Sequence, residues 1–287
     1  MRRLLLLPLL ALLAGCEGAA FTLVNAPTAF GPATVTRDIA YGAKPWQKLD
    51  IYVPPTGPLD AKRDTIVFFY GGRWKTGSRR DYRFVGEAFA KMGFVTVIPD
   101  YSKYPAVRFP AFIEDGAKAL AWVHDNVAGY RGEPRRIHVA GHSAGAHTGA
   151  LLAADKRYLA AVGKSPGQVI ASFAGLAGPY SFTPDEPDLE DIFGPPSRYP
   201  AMQVTSFIEG REPPMLLLWG DADVTVKRYN LDRLQAAIEA KGGRVRSIVY
   251  RGADHISVLG ALSWLNTKGH PVREDLARFF REAGAGR

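Results

Sequence analysis

Apolar positions along this chain of 287 residues fall into short continuous runs separated by stretches with apolar residues at helical spacing. Residues 65–70, 94–98, 137–140, 169–174 and 214–220 are runs of this kind, and 245–250 is strand-like. A strand covered on both faces has no polar side to show, so it reads as an unbroken apolar run bounded by turn residues. Between the runs, Val85, Ala88, Phe89 and Met92 predict a helix that Gly93 ends, and Ile113, Ala117, Leu120 and Ala121 predict another. Residues 49–53 alternate instead and stop at Pro54-Pro55, as an outer antiparallel strand would. Val272, Leu276, Phe279 and Phe280 give the last helix one apolar stripe for core packing. Strands alternating with helices imply βαβ units, hence an α/β architecture with a mostly parallel central sheet flanked by helices.

One run ends in unusual chemistry. Ile137-His138-Val139-Ala140 breaks into Gly141-His142-Ser143-Ala144-Gly145, the G-x-S-x-G pattern of a tight strand-to-helix turn that leaves the serine hydroxyl exposed at its tip. The flanking glycines fit a bend where side chains would strike the neighbouring strand or helix. Five residues alone are weak evidence, because serine and glycine are common.

A serine hydroxyl needs a histidine to take its proton and an acid to hold that histidine in the right tautomer. Of six histidines, His255 and His270 lie downstream of a plausible acid loop. His255 follows the strand-like run 245–250, where site residues gather beyond strand ends, whereas His270 in Gly269-His270-Pro271 reads as a turn before the last helix. His147 starts from the wrong side of the serine, and His142 is expected to point away from the tip. The buried run 214–220 empties into Asp221-Ala222-Asp223, so both carboxylates are candidates. Asp223 is preferred, since the chain can turn at Gly220 before that side chain projects, leaving Asp221 to fix the turn. For the charge that develops on a substrate carbonyl, Gly71-Gly72-Arg73 after the strand 65–70 offers the backbone N–H groups of Gly72 and Arg73, acting with that of Ala144. A double glycine after a strand is by itself more often only a turn.

The order of these pieces resembles α/β-hydrolases of the esterase/lipase type whose oxyanion loop reads H-G-G-x-W, a group that includes carboxylesterases, feruloyl-esterase-like proteins and kynurenine-formamidase-like enzymes. The resemblance is carried by Tyr70-Gly71-Gly72-Arg73-Trp74, Ile98-Pro99-Asp100-Tyr101, Gly141 to Gly145, Gly178-Pro179-Tyr180, Asp191-Ile192-Phe193-Gly194, Gly220 to Asp223 and Gly252-Ala253-Asp254-His255, and it covers nearly all of residues 38–284. It implies an α/β-hydrolase fold with Ser143 as nucleophile, Asp223 as orienting acid and His255 as general base. Tyr70 stands where the group has histidine, and Trp219 where a histidine often precedes the acid loop's glycine. Residues 179–213, rich in Pro, Asp and Glu, break the alternation before the acid strand and predict a lid-like insert with Tyr180, Phe182, Ile192 and Phe193 lining a substrate wall.

The chain's start differs from the rest. Met1-Arg2-Arg3 precedes an apolar stretch too short to span a bilayer, which takes about 20 residues, so residues 1–15 read as a secretion signal. Leu13-Ala14-Gly15-Cys16 resembles a bacterial lipobox, in which Cys16 is lipidated and becomes the mature N-terminus. Glu17 directly after it resembles lipoproteins sent to an outer membrane, facing the periplasm. Cys16 is the only cysteine, so no disulfide framework exists. Residues 16–36, with Pro27 and Pro32 and no sustained period, read as the lipidated N-terminus and its tether, and residues 37–287 as one catalytic domain.

The net charge of +8 falls by two once Arg2 and Arg3 leave with the signal. A basic surface suits anionic lipid, while no recognised fold or aromatic platform couples the charge to nucleic acid. Neither a cysteine cluster nor H-E-x-x-H occurs, so no metal or other cofactor is indicated. The expected partners are a small-molecule ester and a membrane, with oligomeric state left open. The rival readings are an arylformamidase or amidase on the same site, and a binding protein on a hydrolase fold.

Overall fold

The computed structural model describes residues 18–55 and 61–286. The expected signal segment and Cys16 lie outside the described residues.

The described residues form one eight-stranded sheet. Its strands are β1 (Thr34–Ala40), β2 (Lys48–Val53), β3 (Arg63–Phe69), β4 (Val95–Pro99), β5 (Gly132–His142), β6 (Ser172–Leu176), β7 (Met215–Gly220) and β8 (Val245–Tyr250). They lie in the order β1-β2-β4-β3-β5-β6-β7-β8, antiparallel from β1 to β4 and parallel from β4 onward. Strands β4, β6 and β7 are buried along their whole length, which is why their sequences carry no alternation. Helices Arg83–Lys91, Ala111–Asn126, Ala144–Ala154, Tyr229–Ala240 and Val272–Gly284 pack about this sheet. This is the α/β-hydrolase fold. No helix among the described residues is long and apolar enough to cross a membrane.

Register decides where the chemistry can sit. In the parallel part, Phe69 pairs with Gly141, His142 with Leu176, Leu176 with Leu218, and Gly220 with Tyr250. The carboxyl ends of β3, β5, β7 and β8 therefore share one edge of the sheet, and so do the loops that follow them.

Three elements differ from expectation. Of the expected tether, the described part 18–36 is not irregular: 18–25 are helical, Ala26–Phe30 is a 3-10 turn, and β1 starts at Thr34. The helix is held by long-range side-chain contacts that no local pattern reveals. Phe21 packs on Tyr82 at 5.3 Å, and Asn25 donates to the Asp81 carbonyl and accepts from the Phe84 N–H. Strand β1, mostly exposed, has no apolar run to announce it, and it takes the outer place expected of β2. Residues 166–169 form a helical turn, so β6 begins three residues later than the run 169–174 suggested.

Candidate active site

Strand β5 breaks at Ser143, whose φ of 54° and ψ of −122° lie in strained territory for a residue with a side chain. The strain is held from three sides. The Ser143 N–H donates to Leu176 O at 2.9 Å, and the helix Ala144–Ala154 starts at once, entirely buried. A Cβ on Gly141 would overlap the Gly145 carbonyl, and one on Gly145 would overlap the carbonyls of Phe69 and Tyr70. Both glycines are there because backbone meets backbone.

The acid and imidazole sit on the neighbouring loops. Asp223 Oδ2 lies 2.8 Å from His255 Nδ1, with the Asp223 side chain fully buried. Its other oxygen accepts the N–H groups of Thr225 at 2.8 Å and Val226 at 2.9 Å. Burial alone would raise the Asp223 pKa, but the His255 hydrogen bond and the two backbone donors outweigh it and hold the carboxyl below its ordinary range. A carboxylate at Nδ1 fixes the proton there and leaves Nε2 free to accept.

Asp221 has a different task. It accepts the Gly252 N–H, and Ala222 N–H donates to Ala253 O at 2.9 Å, so the two loops are stitched together beside the pair. Directly before His255, Asp254 and Ser257 form a reciprocal cap that sets where the short helix His255–Gly260 begins. Trp219, in the position where histidine is usual, donates its indole N–H to Val226 O at 2.8 Å and closes the acid loop. His270 packs on the Tyr250 ring at 5.4 Å, away from this pair.

His142 does not point away. Its ring centroid lies 4.6 Å from that of His255, and its Nε2–H donates to the His255 carbonyl at 2.9 Å. The imidazole of His255 is thus seated against the residue that precedes Ser143. Burial, then the neighbouring His255, lowers the His142 pKa to about 3, so it stays neutral. No hydrogen bond links the Ser143 hydroxyl to His255 among the described residues; such contacts commonly tighten only when substrate binds. His147 is buried, with Nε2–H donating to Met202 O at 2.8 Å, and burial lowers its pKa to about 4.

On the other side of Ser143, a Cβ on Gly71 would come within 3.2 Å of the Ser143 Cβ, so the loop after β3 adjoins the elbow. Gly72, Arg73 and Trp74 have φ values of 118°, 53° and 58°. Among the described residues no hydrogen bond uses the N–H of Gly72 or Arg73. Tyr70 takes over the anchoring of this loop. Its phenol donates to Asp100 at 2.7 Å, its carbonyl accepts from Tyr101 Oη at 2.7 Å, and its ring stacks between those of Tyr82 and Tyr101. Burial, Tyr101 and Asp100 keep that phenol protonated far above its ordinary pKa. Pro99-Asp100-Tyr101 is therefore a brace rather than a plain turn, and the Arg79 guanidinium ties Asp100 to Asp50 and Asp38 behind it.

The insert 179–213 folds into the helix Pro187–Phe193 and two 3-10 turns. Tyr180, Phe182, Ile192 and Phe193 are buried instead of lining an open wall. Trp74 explains why: its indole lies 4.8 Å from the Phe193 ring and 6.0 Å from that of Phe182. Among the described residues no group of three or more His, Cys, Asp or Glu is placed to hold a metal.

A half-buried elbow serine, a buried carboxylate on an imidazole beside it, and unspent N–H groups opposite define the class as an α/β-hydrolase with the layout of a serine hydrolase. The prolyl oligopeptidase family model matches residues 113–283 and the BD-FAE model residues 49–160. The chain belongs to the prolyl oligopeptidase family. It is 25% identical over 252 residues, 79% of its length, to a probable isoprenylcysteine alpha-carbonyl methylesterase of Arabidopsis thaliana. It is 28% identical over 242 residues, 77% of its length, to the esterase LipQ of Mycobacterium tuberculosis. The chain spans only 58% and 57% of those two proteins. Among solved structures it resembles a truncated carbohydrate esterase from gut microbiota, with a TM-score of 0.76, 19% identity, and coverage of 89% of this chain and 98% of that one. It also resembles Thermogutta terrifontis esterase 2 in its apo form, with a TM-score of 0.72, 24% identity, and coverage of 88% and 95%. At these identities the likeness is one of fold.

Proposed function

We propose that the protein is a serine carboxylesterase with Ser143 as nucleophile, His255 as general base and Asp223 as the acid that orients it. The observation that carries this reading is the 2.8 Å bond between Asp223 and His255 on loops that adjoin the elbow. Ser143 Oγ attacks the ester carbonyl while its proton passes to His255 Nε2, and the carbonyl oxygen takes the negative charge. The N–H groups of Gly72, Arg73 and Ala144 hold that charge in place. Collapse of the intermediate breaks the ester C–O bond, and the leaving alkoxide takes the proton from His255. Water then attacks the acyl-enzyme by the same route and frees the acid. Val224 and Ile256, each exposed and next in sequence to Asp223 and His255, favour an apolar group on the ester.

Ser143→Ala tests the reading. Hydrolysis of a short-acyl p-nitrophenyl ester is expected to fall to background with the thermal midpoint unchanged, and a variant that keeps its turnover would end the proposal. Membership of the prolyl oligopeptidase family favours a second reading, amide hydrolysis at the same three residues. Matched ester and formamide substrates separate the two, through the ratio of their kcat/KM values.

The N-terminal sequence supports export and lipid attachment at Cys16, placing the enzyme on a bacterial membrane. Replacing Cys16 with Ser is expected to move it from the membrane pellet to the soluble fraction.

A further inference from the structure

We propose that the insert between β6 and β7 is a brace for the oxyanion loop, with Asp188 the positioning residue through which it acts. This rests on the reading that the N–H groups of Gly72 and Arg73 receive the substrate's developing charge.

Arg73 and Trp74 carry side chains yet hold φ values of 53° and 58°, directly after Gly72 at 118°. Such a run persists only where its surroundings fix it. The loop's own backbone contributes two bonds, from the N–H groups of Lys75 and Thr76 to Gly72 O at 2.9 Å each. The side chains are held mostly from the insert. The Arg73 guanidinium bonds both oxygens of Glu186, at 3.3 and 3.0 Å, and both of Asp188, at 3.0 and 3.2 Å. Lys75 Nζ adds a bond to Asp188 at 2.8 Å. Trp74 is held by Phe182 and Phe193 from the insert, with the His147 ring at 5.2 Å and that of Phe112 at 6.0 Å.

The insert is fastened at its far side too. Asp191 accepts from Tyr104 Oη at 2.8 Å and pairs with Arg108, and Ile192 O accepts the Phe109 N–H at 2.9 Å. Tyr104 N–H in turn donates to Trp74 O at 2.9 Å, closing a circuit of residues 73–75, 104–109 and 186–193. A lid must be able to leave, and this segment is tied down at both ends of its helix.

The pairs of Arg73 with Glu186 and Asp188 are partly exposed, and pairs of that kind contribute little to folding. Their removal is therefore expected to appear in rate. Asp188→Asn keeps the size of the side chain and removes its charge. The variant is expected to lose about 10-fold in kcat, less than the loss from deleting a donor, with KM within about twofold of wild type. Affinity for a boronic acid that adds to Ser143 as a tetrahedral anion is expected to fall in step with kcat. Arg73→Met is expected to give a similar loss, and the double variant no more than either single one. Unchanged kcat and boronate affinity would overturn the proposal, whatever happens to the thermal midpoint. A rise in KM alone would also overturn it, making the insert a substrate wall. Failure of the proposed esterase function, to which that reading belongs, looks different: Ser143→Ala would keep hydrolysing ester.

Discussion

The two sides of Ser143 are built by different means. On the acid and histidine side, neighbouring strands deliver neighbouring loops. Gly220 pairs with Tyr250 in the sheet, and within a few residues Asp221 holds Gly252, Ala222 holds Ala253, and Asp223 holds His255. On the oxyanion side, residues 70–76 lean on the loop after β4, through Asp100 and Tyr101, and also on the insert far away in sequence, through Glu186, Asp188 and Phe193. A short circuit between adjacent loops tolerates little change in its own residues and ignores the rest of the chain. An assembled loop can be damaged from a distance, which makes it the more adjustable half of the site.

That contrast can be broken first on the acid side. Asp223→Asn leaves the geometry but favours the wrong imidazole tautomer, and kcat for ester hydrolysis is expected to drop about 10⁴-fold. Asp221→Asn, removing only a stitch between loops, is expected to cost less than about 10-fold in the same assay. Equal losses would mean that the two carboxylates share the task.

Gly145→Ala drives a methyl into the backbone of β3 and its following loop, where nothing can rotate away. A loss of more than about 4 kcal/mol in denaturant unfolding is expected, in the range reserved for severe core conflicts. A fully stable variant would show that the elbow has room the structure does not provide.

Acid should weaken the fold through His142 and His147. An unfolded histidine binds a proton near pH 6.5, whereas these stay neutral down to about 3 and 4. Their contribution is complete above pH 6.5 and is lost as pH falls, because the unfolded chain then binds more protons. By pH 5 each should cost about 2 kcal/mol, read from unfolding midpoints against pH. Asp223 has the same sign lower down: its contribution is intact above 3.8 and disappears as pH falls through its depressed folded value. A flat profile between pH 6.5 and 5 would contradict the burial of both imidazoles.

Tyr70→Phe sharpens the comparison from the oxyanion side. It removes the Asp100 bond and the contact with Lys103 Nζ at 3.0 Å, leaving buried polar groups short of a partner. A loss of about 2 kcal/mol is expected, with kcat falling more than KM rises. A loss of stability with unchanged kcat would show that the anchor does not reach the loop.

The acid and histidine side was legible because every cue is local. A buried run, a glycine and a carboxylate three residues on describe one loop, and a strand followed by Asp254-His255 describes the next. The assembled half was not. Tyr70 in place of histidine left its anchoring open, because the bond to Asp100 depends on β4 lying beside β3. The aromatic residues of the insert read as a wall, because no pattern within residues 179–213 records that Trp74 already occupies the space between them. His142 was misjudged by a rule about the elbow's tip that takes no account of the loop carrying His255. The N-terminal helix escaped for the same reason: Phe21 and Asn25 find their partners around residue 82.

The central claim is that three side chains from three loops act as one unit, and covalent labelling tests it most directly. Wild-type protein treated with a fluorophosphonate should gain one adduct, located by mass spectrometry to the peptide containing Ser143, and His255→Ala should label at least about 100-fold more slowly. An adduct on another residue, or equal labelling rates for the two proteins, would contradict the account.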